Sequence, residues 1–175
     1  MNKIINCYKN NGEICELDIC DYLQIELLGN HGENKSMLVS KSTYLKIIDL
    51  KWYLNSNGYP ATYKFGRAKS LHKFLFKKLE KGLVVDHINR DRLDNRLENL
   101  RIITQKENSY NRNKNSNSKN TYKGVKKSGN TYTACVSKDG QKYEINNIPD
   151  EKEAAKIYDI MAEELFGEFA GKNFG

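Results

Sequence analysis

The chain has 175 residues, 38% hydrophobic and 29% charged, so it can bury only modest cores in one or two small domains. No apolar run approaches the roughly 20 residues that span a bilayer, and "MNKIINCYKNNGEICELDIC" lacks the apolar stretch of a secretion signal. The expectation is a cytoplasmic protein with no targeting signal, no membrane contact and no small-molecule cofactor. Net charge is +7, distributed as −1 over residues 1–60, +9 over 61–120, +4 over 121–143 and −5 over 144–175. A concentrated basic band is what a polyanionic partner requires, although charge alone does not separate that from a solvated basic surface.

The cysteines Cys7, Cys15, Cys20 and Cys135 form no C-x-x-C pair and have no histidine at finger spacing. That argues against a zinc ribbon and for free thiols in a reducing compartment. In chain order, "LQIELLG", "SMLVS" and "YPATYKF" read as strands. Between the last two, "STYLKIIDLKWYL" opens as a short helix capped by Ser42, with Leu45, Ile48 and Trp52 near one face. "NSNGYP" is a turn.

"KSLHKFLFKKLEKG" places Leu71, Phe74, Leu75 and Leu79 at helical spacing, with Gly82 as the stop. "LVVDHI" and "LRII" are short strands flanking the polar loop "NRDRLDNRLEN". "TQKENSYNRNK" is a helix opened by a capping box, because Thr104 is followed by Glu107 three residues on. "SYNRNKNSNSKN" is a basic segment that burial cannot order, hence a linker or a strand laid along a DNA groove. "TYKGVKK", "TYTACVSK" and "QKYEINNI" are strands joined at "SGN" and "DG". Asp150 and Glu153 then open an amphipathic helix ending at Gly167. A three-stranded meander covered by one helix is the natural packing.

The chemistry concentrates in "VVDHINRDRLDNRLENLRIITQKENSYNR". Asp86 and His87 end one strand, Asn99 follows His87 by 12 residues, and Asn108 follows by 21, inside the next helix. A strand–loop–strand–helix unit can bring Asp86, His87 and Asn108 to one point. Asp86 and Asn108 offer hard oxygens suited to Mg2+ (or Mn2+), and His87 titrates near neutrality and can take a proton from water. The bland alternative is three polar residues satisfying a tight loop.

The spacing resembles the HNH nuclease family, in the branch with Asn as third motif residue, typical of phage and intron-type homing endonucleases. "LHKFLF", "VDHI", "DNRLENLR" and "TQKEN" carry the likeness, strongly over residues 58–115 and weakly over 1–57. The resemblance implies a ββα-metal core with Asp86 and Asn108 as metal ligands and His87 as general base. It implies that Asn99 braces the hairpin and orients His87. His72 matches a family position as a phosphate contact or a structural residue. Arg90, Arg92, Arg112 and Lys114 are further DNA-contact candidates in the basic band.

Residues 121–174 resemble the ethylene-response-factor DNA-binding domain of plants (AP-two type), through "YKGV", "EAAKIYDIMA" and "FGEFAGKNF". That family lays a three-stranded sheet in the major groove. The likeness makes Lys123, Lys126, Tyr132, Lys138 and Lys142 DNA contacts. Lysine grips phosphate well but reads guanine less sharply than arginine's fork.

The expected fold is α+β in four parts. These are an N-terminal β-rich region (1–57), an HNH core (58–112), a basic linker (113–120) and a sheet packed on one helix (121–175). Two linked contacts on double-stranded DNA would lengthen the recognised site, as a homing enzyme requires. The expected activity is a monomeric, site-specific, metal-dependent DNA endonuclease cutting one strand or both. A non-catalytic DNA-binding regulator is the alternative, and an RNA-binding role ranks last because the sheet lacks paired stacking aromatics.

Overall fold

A computed structural model describes residues 2–29, 31–64, 67–112 and 120–174. The chain gathers into two compact units, Met1–Ile103 and Thr104–Gly175. Both mix small sheets with short helices, and no helix among the described residues is long and apolar enough to cross a membrane.

In the first unit, β1 (Ile4–Tyr8), β2 (Tyr22–Glu26) and β3 (Ser36–Ser40) form an antiparallel meander. Met37 and Val39 on β3, and Leu23 and Ile25 on β2, alternate inward as a half-buried sheet demands. α1 (Lys41–Ile47) follows, then the small sheet of β4 (Tyr53–Leu54), β5 (Pro60–Lys64) and β6 (Arg67–Ser70), then α2 (Leu71–Leu75). Trp52 is fully buried in the core with Leu23, Ile25, Met37, Val39, Ile47 and Leu71, and its indole N–H donates to the Ile47 carbonyl (3.3 Å). β7 (Leu83–His87) pairs with β9 (Leu100–Thr104). Between them, β8 (Asp94–Asn95) adds in parallel to β3, with Leu38 opposite Asp94 and Val39 opposite Asn95.

Three sequence expectations change here. α1 starts after Ser40 without a side-chain cap, so Ser42 does not cap it. Its buried residues are Thr43 and Ile47, while Leu45 and Ile48 face out and Trp52 lies beyond the helix. α2 stops at Leu75, where Phe76 leaves helical geometry, and Leu79 is outside it. Continuing the helix would align Lys77 with Lys81, a like-charge pair one turn apart. The polar loop after β7 is anchored, because β8 makes it the fourth strand of the N-terminal sheet.

In the second unit, α3 (Gln105–Tyr110) opens with the expected capping box of Thr104 and Glu107. Residues 113–119, which hold nearly all of the expected linker, lie outside the described residues. β10 (Val125–Ser128), β11 (Thr131–Lys138) and β12 (Gln141–Ile148) form the expected antiparallel meander. Asp139 and Gly140 both take positive φ (53° and 82°), the tight hairpin turn that "DG" encodes. α4 (Glu151–Phe166) is capped by Asp150, whose carboxylate accepts from the Glu153 N–H (2.8 Å). Val125, Ala134, Val136 and Ile148 pack on Ala154, Ala155, Tyr158 and Ala162.

Candidate active site

The loop between β7 and β9 is held by side chains rather than by a core of its own. Asn99 is its hub. Its Nδ2 donates to Asn89 Oδ1 (2.9 Å) and to the Asp94 carbonyl (2.8 Å), and its Oδ1 accepts from the Asn89 N–H (3.0 Å). Asn89 Nδ2 donates to Asp94 Oδ2 (2.9 Å), and Arg96 clamps both Asp94 oxygens at 2.8 and 2.7 Å. Burial raises the Asp94 carboxyl, but the Arg96 and Asn89 donors overcome that and leave it below its ordinary value. The Ile88 N–H donates to the Asn99 carbonyl (2.9 Å), fastening the first strand's end to the start of the second. The Asn99 amide therefore ties Asn89 to Asp94 across the loop.

His87 is 5% exposed at the end of β7. Its Nε2 lies 3.3 Å from Asn95 Oδ1, and Asn95 Nδ2 donates to the Arg92 carbonyl (3.0 Å). An amide oxygen only accepts, so Nε2 carries the hydrogen and Nδ1 carries the basic lone pair of the neutral ring. Asn95, fully buried on β8, thus hydrogen-bonds the imidazole. Desolvation lowers the His87 pKa, opposed by the Asn95 hydrogen bond and by Asp86, Asp91 and Asp94.

His72 lies beside His87, with ring centres 5.5 Å apart at 83°, and Tyr59 contacts both rings at 4.9 and 5.9 Å. Ser70 Oγ is 3.3 Å from His72 Nε2, whereas His72 Nδ1 is buried without a partner. Burial first, then the charges of His87 and Lys73, lowers the His72 pKa to about 4. An imidazole this firmly neutral packs as an aromatic ring and puts no positive charge beside His87. Arg92 is exposed, lies over Tyr59 (4.8 Å) and donates to the Asn57 carbonyl (2.7 Å). Arg90 is half-buried in the turn after β7, at φ 65°, with its N–H on the His87 carbonyl.

Asp86, 8% exposed, immediately precedes His87 at the end of β7. Arg101 on β9 reaches Asp86 Oδ2 through Nε (3.1 Å) and Nη2 (3.0 Å). Among the described residues no group of three or more His, Cys, Asp or Glu side chains is placed to hold a metal ion. The Asp86 carboxylate is of the chemistry that suits a hard cation taking most of its oxygens from water and phosphate. Asn108 is half-buried on α3, in the second unit.

The second unit's sheet sorts its candidates by face. Val125 pairs with Ala134 on the helix-facing side, so by alternation Lys126 (opposite Thr133) and Lys142 (opposite Ser137) stand on the open side, both exposed. Lys142 pairs there with Glu144 (2.6 Å). Tyr132 packs against the core, and Lys138 Nζ donates to the Leu165 carbonyl (2.6 Å) near the end of α4. Lys123 Nζ donates to the carbonyls of Tyr110 (2.8 Å) and Gly171 (3.1 Å). Arg112 is exposed just after α3, and Lys114 lies outside the described residues.

Sequence reasoning missed Asn95 and Arg101. Both lie within the quoted motif, but nothing local shows which amide meets His87 until β8 pairs with β3. Comparison with known proteins points the same way as the motif. A family model described as HNH endonuclease matches residues 77–110. A protein of Acanthamoeba polyphaga mimivirus, named as an uncharacterized HNH endonuclease, is 43% identical over 153 residues, covering 84% of this chain and 79% of its own length. No solved structure matches.

Proposed function

Because the chain belongs to the HNH endonuclease family, and with it to the nucleases that act on DNA, we propose that it is a site-specific endonuclease of the homing type that uses His87 as general base. The observation carrying this reading is the fixed imidazole: Asn95 holds Nε2, which leaves Nδ1 as the basic nitrogen, one residue after the carboxylate of Asp86. In this reading His87 Nδ1 takes a proton from water, the water oxygen attacks phosphorus, the bond from phosphorus to the 3′ oxygen breaks, and that leaving oxygen takes a proton from a solvent water. The products carry 5′-phosphate and 3′-hydroxyl ends.

Asp86 and Asn108 would hold a divalent cation, Mg2+ or Mn2+, by the hardness of their oxygens. Such a cation, when bound, supplies stabilisation of charge on the phosphoryl group and on the departing oxygen. Asn99 acts through the loop it braces. Arg90, Arg92, Arg112 and Lys114 are assigned to phosphates of double-stranded DNA, with the exposed Arg92 the best placed of the described ones.

We assign the second unit as an AP-two-type DNA-binding domain that grips DNA through the open side of its sheet. Lys126 and Lys142 are its foremost contacts. Lys123, Tyr132 and Lys138 support the sheet and helix from the other side. The four-part division at residues 57, 112 and 120 belongs to the same proposal, as does the monomeric state.

A supercoiled-plasmid assay with and without Mg2+ tests the function. The expected result is metal-dependent nicked or linear product, lost by about a thousandfold in His87→Ala with DNA binding retained. Binding without cleavage at any metal concentration would favour a non-catalytic regulator. Cleavage by His87→Ala at the normal rate would overturn the assignment of the base.

A further inference from the structure

Asp86 and Arg101 form an ion pair built into the β7–β9 sheet, with side chains 9% and 13% exposed. Two guanidinium donors, Nε and Nη2, fall on the same carboxylate oxygen at 3.1 and 3.0 Å. A carboxylate this buried is costly without a partner. The guanidinium meets that need in the absence of any cation. It also sets a fixed positive charge against the oxygen-bearing group on which a cation would rest.

We propose that Arg101 is a positioning residue that holds the Asp86 carboxylate in place and keeps divalent-cation binding weak until a DNA phosphate joins the site. The proposal rests on Asp86 being a metal ligand, as argued above. Its electrostatics follow from charge alone. The Arg101 guanidinium repels a divalent cation brought beside Asp86, and side chains this buried leave little water to screen that repulsion. A phosphodiester brings compensating negative charge. Cation binding and DNA binding then become coupled, and each strengthens the other by the same factor. A nuclease so arranged takes up its cation chiefly when there is a phosphate to cut.

The test is Mn2+ binding by the full chain without DNA, read from the electron paramagnetic resonance of free Mn2+. Removing one adjacent unit charge should tighten a divalent ion by about tenfold or more at the effective dielectric of a partly buried site. Arg101→Gln should therefore bind Mn2+ at least about tenfold more tightly than the wild type. Arg101→Lys, which keeps the charge, should stay as weak as the wild type. Adding Asp86→Asn to Arg101→Gln should abolish the gain, placing the ion at Asp86.

Equal affinity in Arg101→Gln and the wild type would overturn the proposal, and so would an equal gain in Arg101→Lys. If Trp52 fluorescence shows Arg101→Gln to be unfolded, the wild type decides alone. Its Mn2+ affinity should rise about tenfold with a short duplex present, corrected for ions the duplex holds by itself, and no rise would overturn the proposal. Absence of nicking in the plasmid assay would instead sink the nuclease reading, while the Mn2+ titration still reports on Arg101.

Discussion

The loop at residues 88–99 and the sheet-and-helix at residues 121–174 are both fixed, but by opposite means. The first is a lattice of polar side chains in which Asn99, Asn89, Asp94 and Arg96 satisfy one another and the backbone. The second is an apolar seam of Val, Ile and Ala residues closed by Tyr158. Hydrogen bonds are directional, so the first arrangement holds the loop's side chains and backbone in one geometry. Apolar packing is not directional; it secures one sheet face and leaves the other side open for a partner. Each region's construction suits its assigned work, aiming His87 in one and presenting Lys126 and Lys142 in the other.

The seam should break first, and most severely. Gly124 has φ +70°, and a Cβ there would lie 2.0 Å from Tyr158 Cδ2 and 2.8 Å from the Cys135 carbonyl oxygen. Both the backbone and the helix ring oppose it. Gly124→Ala should destabilise the second unit by about 3 kcal/mol or more. Amide hydrogen exchange in β11, followed by mass spectrometry across a temperature series, reads that unit. The fluorescence of Trp52, the chain's one tryptophan, reads only the first unit and should keep its midpoint. A common shift in both signals would show that the units unfold together.

The polar lattice should break next. Asn99→Ala removes three hydrogen bonds and leaves the Asn89 N–H and the Asp94 carbonyl without that partner. The expected loss is about 2–3 kcal/mol in the first unit, read by Trp52 fluorescence in urea. Asn99→Asp keeps the acceptor but not the two donated bonds, and should recover only part of the loss. A change below about 0.5 kcal/mol would mean that the loop does not depend on its hub.

What could be read beforehand divides along the same line. Alternating or amphipathic segments were legible: β2, β3, β5, β7, β9, the β10–β12 meander and α4 all announce themselves by period and turn chemistry. The capping box at Thr104 and Glu107 is a local signal and was legible too. α1's buried face was not, because its inward residues include Thr43 and its apolar Leu45 points to solvent. β8 was invisible, since two polar residues become a strand only by pairing with distant β3. The place of Asp86 and His87 at the end of β7 was legible, but their partners Arg101 and Asn95 were not. A hydrogen-bonding partner is chosen by tertiary geometry, which no periodicity encodes.

Acid should separate the two regions by the smallest but most selective effect. The chain's histidines are His31, His72 and His87, so residues 104–175 hold none. His72 is buried with its pKa lowered to about 4, chiefly by desolvation, and His87 is lowered for the same leading reason. An imidazole kept neutral by the fold binds its proton more readily once unfolded, where its pKa returns to about 6.5. Between those values the unfolded chain holds more protons, so stability rises with pH. The contribution is complete above pH ~6.5 and is lost as pH falls toward 4. At pH 5 His72 alone should cost the first unit about 2 kcal/mol relative to pH 7.5, measured as the change in urea midpoint by Trp52 fluorescence. His72→Phe keeps a ring between Tyr59 and His87 but cannot take the proton, and should flatten most of that slope. Amide exchange in β11, in the second unit, has no histidine to move it over this range. An equal acid sensitivity in both units would mean that buried imidazoles are not its cause.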